Sequence, residues 1–295
     1  MNNIPLTIKI IDRLGRIIPR FFWTRYSNLA RTQGFDKLYL LLSFDCDTPA
    51  DADASARIDE WLVNNGIQRS YAVPGTMLET NPDIYKKIHD TGAEFLNHGY
   101  LPHTQLMDGV YRSTTFYEQM ASVDVVSDVR KGHETVVRVL GIPPAGFRAP
   151  HFGMVSQKIK TDVIQPVLRE LGEVYSSQST PYDAIKHGPV WRVNGWPEFP
   201  VIGSANAPFS VLDSFTYLEN LAVRKVSPRF SQAFRETAES LINWEINGLL
   251  NFYVDPSHVV DDPGILETLV FLKEQGIQSL TYTQVLERAP GGGKK

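Results

Sequence analysis

The run LYLLLSFDCD, Leu38 to Asp47, decides the fold: an apolar stretch, Leu38 to Phe44, passes straight into Asp45-Cys46-Asp47. Downstream, helix-like segments close on Gly66, Gly92, Gly141, Gly172, Gly248 and Gly276. Each is followed by a short β-rich run: QRSYAV, AEFLNH, AGFRAP, VYSS, NFYV and QSLTY. Glycine suits the left-handed residue that ends a helix, and the runs after it hold the residues strands prefer. Alternation of this kind predicts parallel βαβ units. With Leu38 to Phe44 it makes about seven repeats, which favours a closed (β/α) barrel of about seven parallel strands over an open doubly wound sheet. The expected organisation is a basic helical arm over residues 1–37, a catalytic barrel over 38–288 and a flexible tail over 289–295. The Pro-rich stretch Gly188 to Pro208 reads as an insertion of short strands and loops near the barrel mouth.

Composition limits the function. The 295 residues are 42% hydrophobic and 21% charged, which excludes disorder as the main state. A formal net charge of -4 offers no basic excess, so no nucleic-acid partner is expected. The single cysteine, Cys46, excludes a disulfide framework and a Cys-rich zinc module. No run approaches the roughly 18 apolar residues of a membrane span, and Met1 to Arg20 lacks a secretory core, so a cytoplasmic location is expected. The first 37 residues differ from the rest: Lys9, Arg13, Arg16, Arg20, Arg25, Arg31 and Lys37 oppose only Asp12 and Asp36. Ile10, Ile11, Leu14, Ile17 and Ile18 recur there at near-helical spacing, ahead of Phe21-Phe22-Trp23. Two readings stand: a helix packed across the barrel bottom with a solvated basic face, or an amphipathic segment in peripheral contact with an anionic membrane.

In an α/β barrel, reactive side chains sit where strands run into loops. Four such ends are polar here: Asp45-Cys46-Asp47, Asn97-His98 with His103 beyond, Arg148-Ala149-Pro150-His151, and Asp255-Pro256-Ser257-His258. In extended chain, Asp45 and Asp47 leave on one face and Cys46 on the other. Adjacent carboxylates repel unless a cation relieves them, and His98 and His103 offer the nitrogen ligands that zinc and related metals prefer. One carboxylate and two imidazoles leave positions open for water and substrate. A divalent metal is therefore expected, Zn first, with Co, Fe, Ni or Mn as alternatives. In the competing reading, Asp45 or Asp47 caps the following helix and the histidines lie on the surface. A non-haem iron oxygenase would leave the Asp-x-Asp pair and Arg148 unexplained.

Taken in order, LLSFDCD, FLNHGYLPH, GFRAPHFG, EFPV and FYVDPSH resemble the NodB-homology polysaccharide deacetylases, carbohydrate esterases that remove N-acetyl groups from sugars with a bound metal. The likeness runs from about Tyr39 to Leu286 and implies a distorted (β/α) barrel. It also implies Asp45 as general base, Asp47, His98 and His103 as metal ligands, and Arg148 as the residue that orients and tunes Asp45. The backbone N–H near His151 would face the developing oxyanion. Three positions depart from the family pattern. Cys46 divides an acidic pair that many members write contiguously. His98 and His103 are five apart instead of four, about 140° around a helix, so a loop or a helix start at Pro102 is expected. Asp255 replaces a histidine before the last proline, and His258 is expected to take over as general acid, with Asp255 or Asp261 holding its other nitrogen and His151 as the second candidate.

Tyr100, Trp196, His151 and Asp255 are expected at the substrate, core packing being the competing reading of Trp196. The expected function is N-deacetylation of an acetylated sugar, or a sugar-linked lipid or nucleotide, on a cytoplasmic intermediate of surface-glycan synthesis of the lipopolysaccharide or O-antigen kind. Hydrolysis of a non-sugar C–N amide bond and a catalytically silent glycan-binding protein are the alternatives.

Overall fold

The computed structural model describes residues 6–108, 110–218 and 229–288. Seven of the eight parallel strands of the central sheet are β1 (Leu38–Asp45), β2 (Ser70–Val73), β3 (Glu94–Asn97), β4 (Gly146–Arg148), β5 (Tyr175–Ser177), β6 (Trp196–Glu198) and β7 (Gly248–Val254), and the eighth, Gln278–Ser279, pairs with β1. Their spatial order is β7-β1-β2-β3-β4-β5-β6, with Trp191–Val193 added antiparallel to β6. In β1 and β7, Leu38 lies opposite Gly248 and Phe44 opposite Val254. Apart from Tyr39, β1 is buried along its length, as befits a strand covered on both faces. Its alternation sends Leu40, Leu42, Phe44 and Cys46 into the layer between sheet and helices. Leu41 joins Ala72, Leu96, Tyr175, Leu249 and Tyr282 inside the barrel. Asp45 shares the parity of Leu41, so it ends at the mouth of that interior.

Strands β6 and β7 do not form a ladder. The chain after β6 bridges them: Phe199 N–H donates to the Ser176 carbonyl at 2.8 Å, Val201 N–H to Ser179 at 3.1 Å and Ile202 N–H to Asn251 at 2.8 Å. Asn251 Nδ2 returns a hydrogen bond to the Pro200 carbonyl at 2.8 Å. This irregular seam is the distortion of the barrel. It also corrects the reading of Gly188 to Pro208 as an insertion, since that stretch supplies β6, the seam and then the hairpin Gly203–Ser204/Ala207–Val211. Pro197 and Pro200 remove ladder donors, which is why the stretch does not look like a barrel wall in sequence.

Five of the six punctuating glycines end helices with φ between 65° and 85°. Gly248 is the exception. The preceding helix ends at Asn243, Glu245 takes the positive φ of 55°, and Gly248 opens β7. A Cβ there would lie 2.6 Å from the Tyr26 ring, so close approach demands the glycine.

Tyr26 belongs to the arm, which folds as α1 (Leu6–Ile17) and α2 (Pro19–Thr32). Helix α2 packs across the barrel bottom. Its Tyr26 hydroxyl donates to the Leu249 carbonyl at 2.8 Å and accepts from the Leu249 N–H at 2.9 Å, while Trp23 Nε1 donates to the Ala205 carbonyl at 3.0 Å. Both aromatic side chains are fully buried. Among the described residues, no helix is long and apolar enough to cross a membrane. The tail over 289–295 lies outside the described residues.

Candidate active site

Arg148 closes β4 and is wholly buried. Its Nη1 donates to Asp45 Oδ1 at 2.6 Å, and its Nη2 donates to Ser43 Oγ at 2.9 Å and to the Tyr282 hydroxyl. A guanidinium is tolerated at such depth only when paired and hydrogen-bonded, and here its partners lock the Asp45 carboxylate. Burial pushes the Asp45 pKa up to about 6 against the pull of Arg148. A carboxylate so placed accepts a proton readily near neutral pH.

Two residues on, Asp47 Oδ1 lies 3.2 Å from His103 Nδ1 and 3.8 Å from His98 Nε2. The imidazole rings meet edge to face at 4.2 Å. His98 Nδ1 donates to the Arg148 carbonyl at 2.8 Å, which fixes the tautomer whose Nε2 lone pair looks toward Asp47. Asp47 Oδ1 and both His103 nitrogens are buried without a hydrogen-bond partner. Orphan polar atoms cost about 1–3 kcal/mol each, and here they converge, with ligand atoms of Asp47, His98 and His103 all within 4.8 Å of one another. Tetrahedral ligands at about 2.1 Å from a metal stand roughly 3.4 Å apart, so the donor set fits a divalent ion. Burial, with His103 adding to it, drives His98 well below the usual imidazole range and keeps it neutral, as a ligand must be. Burial would raise Asp47, but His103 beside it prevails and holds its carboxyl at about 2.

An irregular loop absorbs the five-residue spacing of the histidines. Gly99 takes φ 71°, and the N–H groups of Tyr100 and Leu101 donate to Asp128 Oδ1 at 3.1 and 2.8 Å. The Tyr117 hydroxyl donates to Asp128 Oδ2 at 2.6 Å. Asp128 lies in α3 (Ser122–Leu140), and one turn on, a Cβ at Gly132 would come within 2.5 Å of the Gly99 backbone, so this helix rests directly on the loop. Glu173 accepts from Asn97 Nδ2 at 2.8 Å and from His133 Nδ1 at 2.9 Å. His133 is buried. Asp128 and His133 were both legible as polar residues on the apolar stripe of Val125, Val129 and Val136.

Past His103 rises a hairpin, Thr104–Met107 with Val110–Ser113, that the sequence reading missed. Its signal is the Asp108-Gly109 dipeptide, and Asp108 has φ 52°. Thr104 Oγ1 donates to the Asp47 carbonyl at 3.2 Å. By strand alternation the same face carries Leu106, directly opposite Tyr111, and both are exposed.

His258 Nδ1 lies 2.9 Å from Asp255 Oδ2 and 3.2 Å from Ser214 Oγ. Asp261, the other partner considered, pairs with Arg57 instead at 2.5 Å. Burial pushes the Asp255 pKa up to about 7, with His258 opposing. Alongside, Asp213 accepts from the Tyr253 hydroxyl at 3.0 Å, and burial raises its pKa to about 6. His151 takes φ 57°, stacks on Phe116 at 4.6 Å and donates from Nε2 to the Thr114 carbonyl at 2.5 Å. Tyr100 and Trp196 are not brought to the metal group. The Tyr100 hydroxyl donates to Glu79 at 3.0 Å with the Lys131 ammonium 3.4 Å over its ring, and Trp196 is buried with Nε1 donating to Ser176 Oγ at 2.9 Å.

Residues 32–169, which hold Asp45, Asp47, His98, His103 and Arg148, match the polysaccharide deacetylase family profile. The match spans just under half of the chain, and over it the chain is similar to that family. No curated protein matches it significantly. Among solved structures, a Mycobacterium smegmatis protein assigned as a polysaccharide deacetylase aligns at TM-score 0.59 and 16% identity, over 85% of this chain and 89% of its own. The peptidoglycan deacetylase PdaC of Bacillus subtilis aligns at 0.52 and 12%, over 86% and 92%. A CE4 family pseudoenzyme from Bacillus anthracis aligns at 0.51 and 11%, over 85% and 66%. At these identities the likeness carries the fold. The profile match ends before β5, so Asp213, Asp255 and His258 stand on their geometry alone.

Proposed function

We propose that the chain is a metal-dependent N-deacetylase of an acetylated sugar, with Asp47, His98 and His103 holding the ion, Zn(II) first. The observation that carries this reading is the meeting of an orphaned Asp/His/His donor set with an Arg148-locked carboxylate at the mouth of the barrel. When bound, a divalent ion supplies Lewis acidity, acidifying water and polarising an amide carbonyl. Asp45 takes a proton from the attacking water, and the Asp255–His258 pair returns one to the leaving nitrogen, so acetate and a free amino group result. Leu106 and Tyr111 offer an apolar wall beside Asp47 that suits the face of a sugar ring. A cytoplasmic step in surface-glycan synthesis, with a lipid- or nucleotide-linked sugar as substrate, is the setting we favour, and the lone buried thiol of Cys46 agrees with a reducing compartment.

The purified protein is expected to retain a divalent ion and to release acetate from members of a panel of N-acetylated sugar nucleotides and lipid-linked sugars. Asp47→Ala and His98→Ala should lose the ion, while Asp45→Asn should keep it and lose about 10²- to 10⁴-fold in turnover. Equal metal content in the three variants would overturn the assignment. The replacement of a family histidine by Asp255 favours one second reading, a catalytically silent glycan binder. Sugar binding without acetate release from any substrate, with metal retained, would select it.

A further inference from the structure

We propose that α1 and the start of α2 form a docking surface for an anionic membrane. Ile10, Leu14, Ile17, Ile18 and Phe21 are 42% to 65% exposed, although they are the large apolar residues of the arm's outer side. At 100° per residue, Ile10, Leu14 and Ile17 fall within an arc of about 60°. The opposite side of α1 is fixed to the body. A Cβ on Gly15 would come 2.8 Å from the Phe209 ring, and Arg16 Nη2 donates to Ser210 Oγ at 2.9 Å while pairing with Asp12 at 3.1 Å. Phe22 packs edge to face on Phe209 at 5.0 Å. The helix is therefore held in one orientation, with an apolar stripe turned outward.

The charge around the stripe selects the occupant. Arg13, Arg20 and Arg25 are exposed beside it. Residues 1–37 hold seven basic and two acidic side chains, whereas the remainder holds 22 basic against 31 acidic. An apolar stripe rimmed by arginines lies in the headgroup region of an anionic bilayer, the apolar side chains sunk about 5–10 Å and the guanidinium groups at the phosphates. A second copy of the chain is the poorer fit, because a two-fold contact would set the same arginines against one another. The inference does not depend on the catalytic reading.

Co-sedimentation of the full chain with vesicles tests it. At about 50 mM salt, where the Debye length exceeds 10 Å, the protein should sediment with phosphatidylcholine vesicles containing roughly 30% phosphatidylglycerol, and far less with phosphatidylcholine alone. Ile17→Ser/Phe21→Ser should reduce binding by about tenfold or more, and Arg13→Gln/Arg20→Gln by roughly fivefold per charge. These side chains are exposed, so the thermal melting of each variant should match the parent, and a variant that melts early is replaced by Leu14→Ser. Absence of binding to anionic vesicles at low salt, or equal binding by parent and variants, would overturn the proposal. So would a dimer that Ile17→Ser/Phe21→Ser dissociates while lipid binding is absent.

Discussion

Asp128 does for the two histidines what Arg148 does for Asp45: each fixes from behind a group that must meet its partner in one geometry. Asp128 gathers two backbone N–H groups and the Tyr117 hydroxyl, so the loop from His98 to His103 has one shape in spite of its extra residue. Removing such a support from ligands typically costs 10- to 100-fold in metal affinity. Asp128→Ala is expected to lose that much in a chelator competition, and Asp128→Asn, whose amide oxygen still accepts the N–H groups, to lose little. Equal affinity in Asp128→Ala and the parent would remove this residue from the site's support. The residues that meet at the barrel mouth, Asp45, Asp47, His98 and Arg148, were legible in sequence because strand parity and barrel topology fix where a strand-end side chain goes. The partners of Asp128, Glu173 and Asp213 were not, because they are set by packing between elements tens of residues apart.

At the scale of elements, the hairpin after His103 is the addition with the clearest functional reach. Its Asp47-facing side bears Leu106 and Tyr111, and aromatic and aliphatic contacts of this kind hold a substrate equally in ground and transition states. Leu106→Ala/Tyr111→Ala is therefore expected to raise KM severalfold and leave kcat near the parent value. A fall in kcat at constant KM would show that the hairpin shapes the metal loop instead. The helices and most strands were readable from glycine punctuation and apolar runs. Strand β6 and the seam were hidden because prolines occupy them and because the bonds that close the barrel, such as Ile202 to Asn251, do not follow a repeating register. Gly248 misled for a related reason: it looks like a helix stop, but it is kept bare by the Tyr26 ring.

Over the whole molecule, buried acids with raised pKa tie stability to pH, Asp213 and Asp255 among them. Asp213, raised to about 6, and Asp255, raised to about 7, hold protons that the unfolded chain releases near 4. Where the folded state binds more protons, stability falls as pH rises, so these groups weaken the fold progressively between about pH 4 and 7. Asp213→Asn keeps the shape and the acceptor for Thr216 N–H, and it should flatten the decline. Urea unfolding is expected to show the variant more stable than the parent at pH 8 by an amount of order 2–3 kcal/mol, with the gap closing near pH 4. A constant gap across that range would place the titration elsewhere. The seating of the arm has a consequence in time. Trp23 and Tyr26 bind Ala205 and Leu249, 182 and 223 residues further along the chain. At synthesis rates of about 5–20 residues per second, the arm emerges roughly 10–40 s before its seat exists. Through that interval both of its faces are bare, and whatever first covers the outer one does so while the inner one is still waiting. The floor of the barrel is thus covered by a segment made long before the residues it binds.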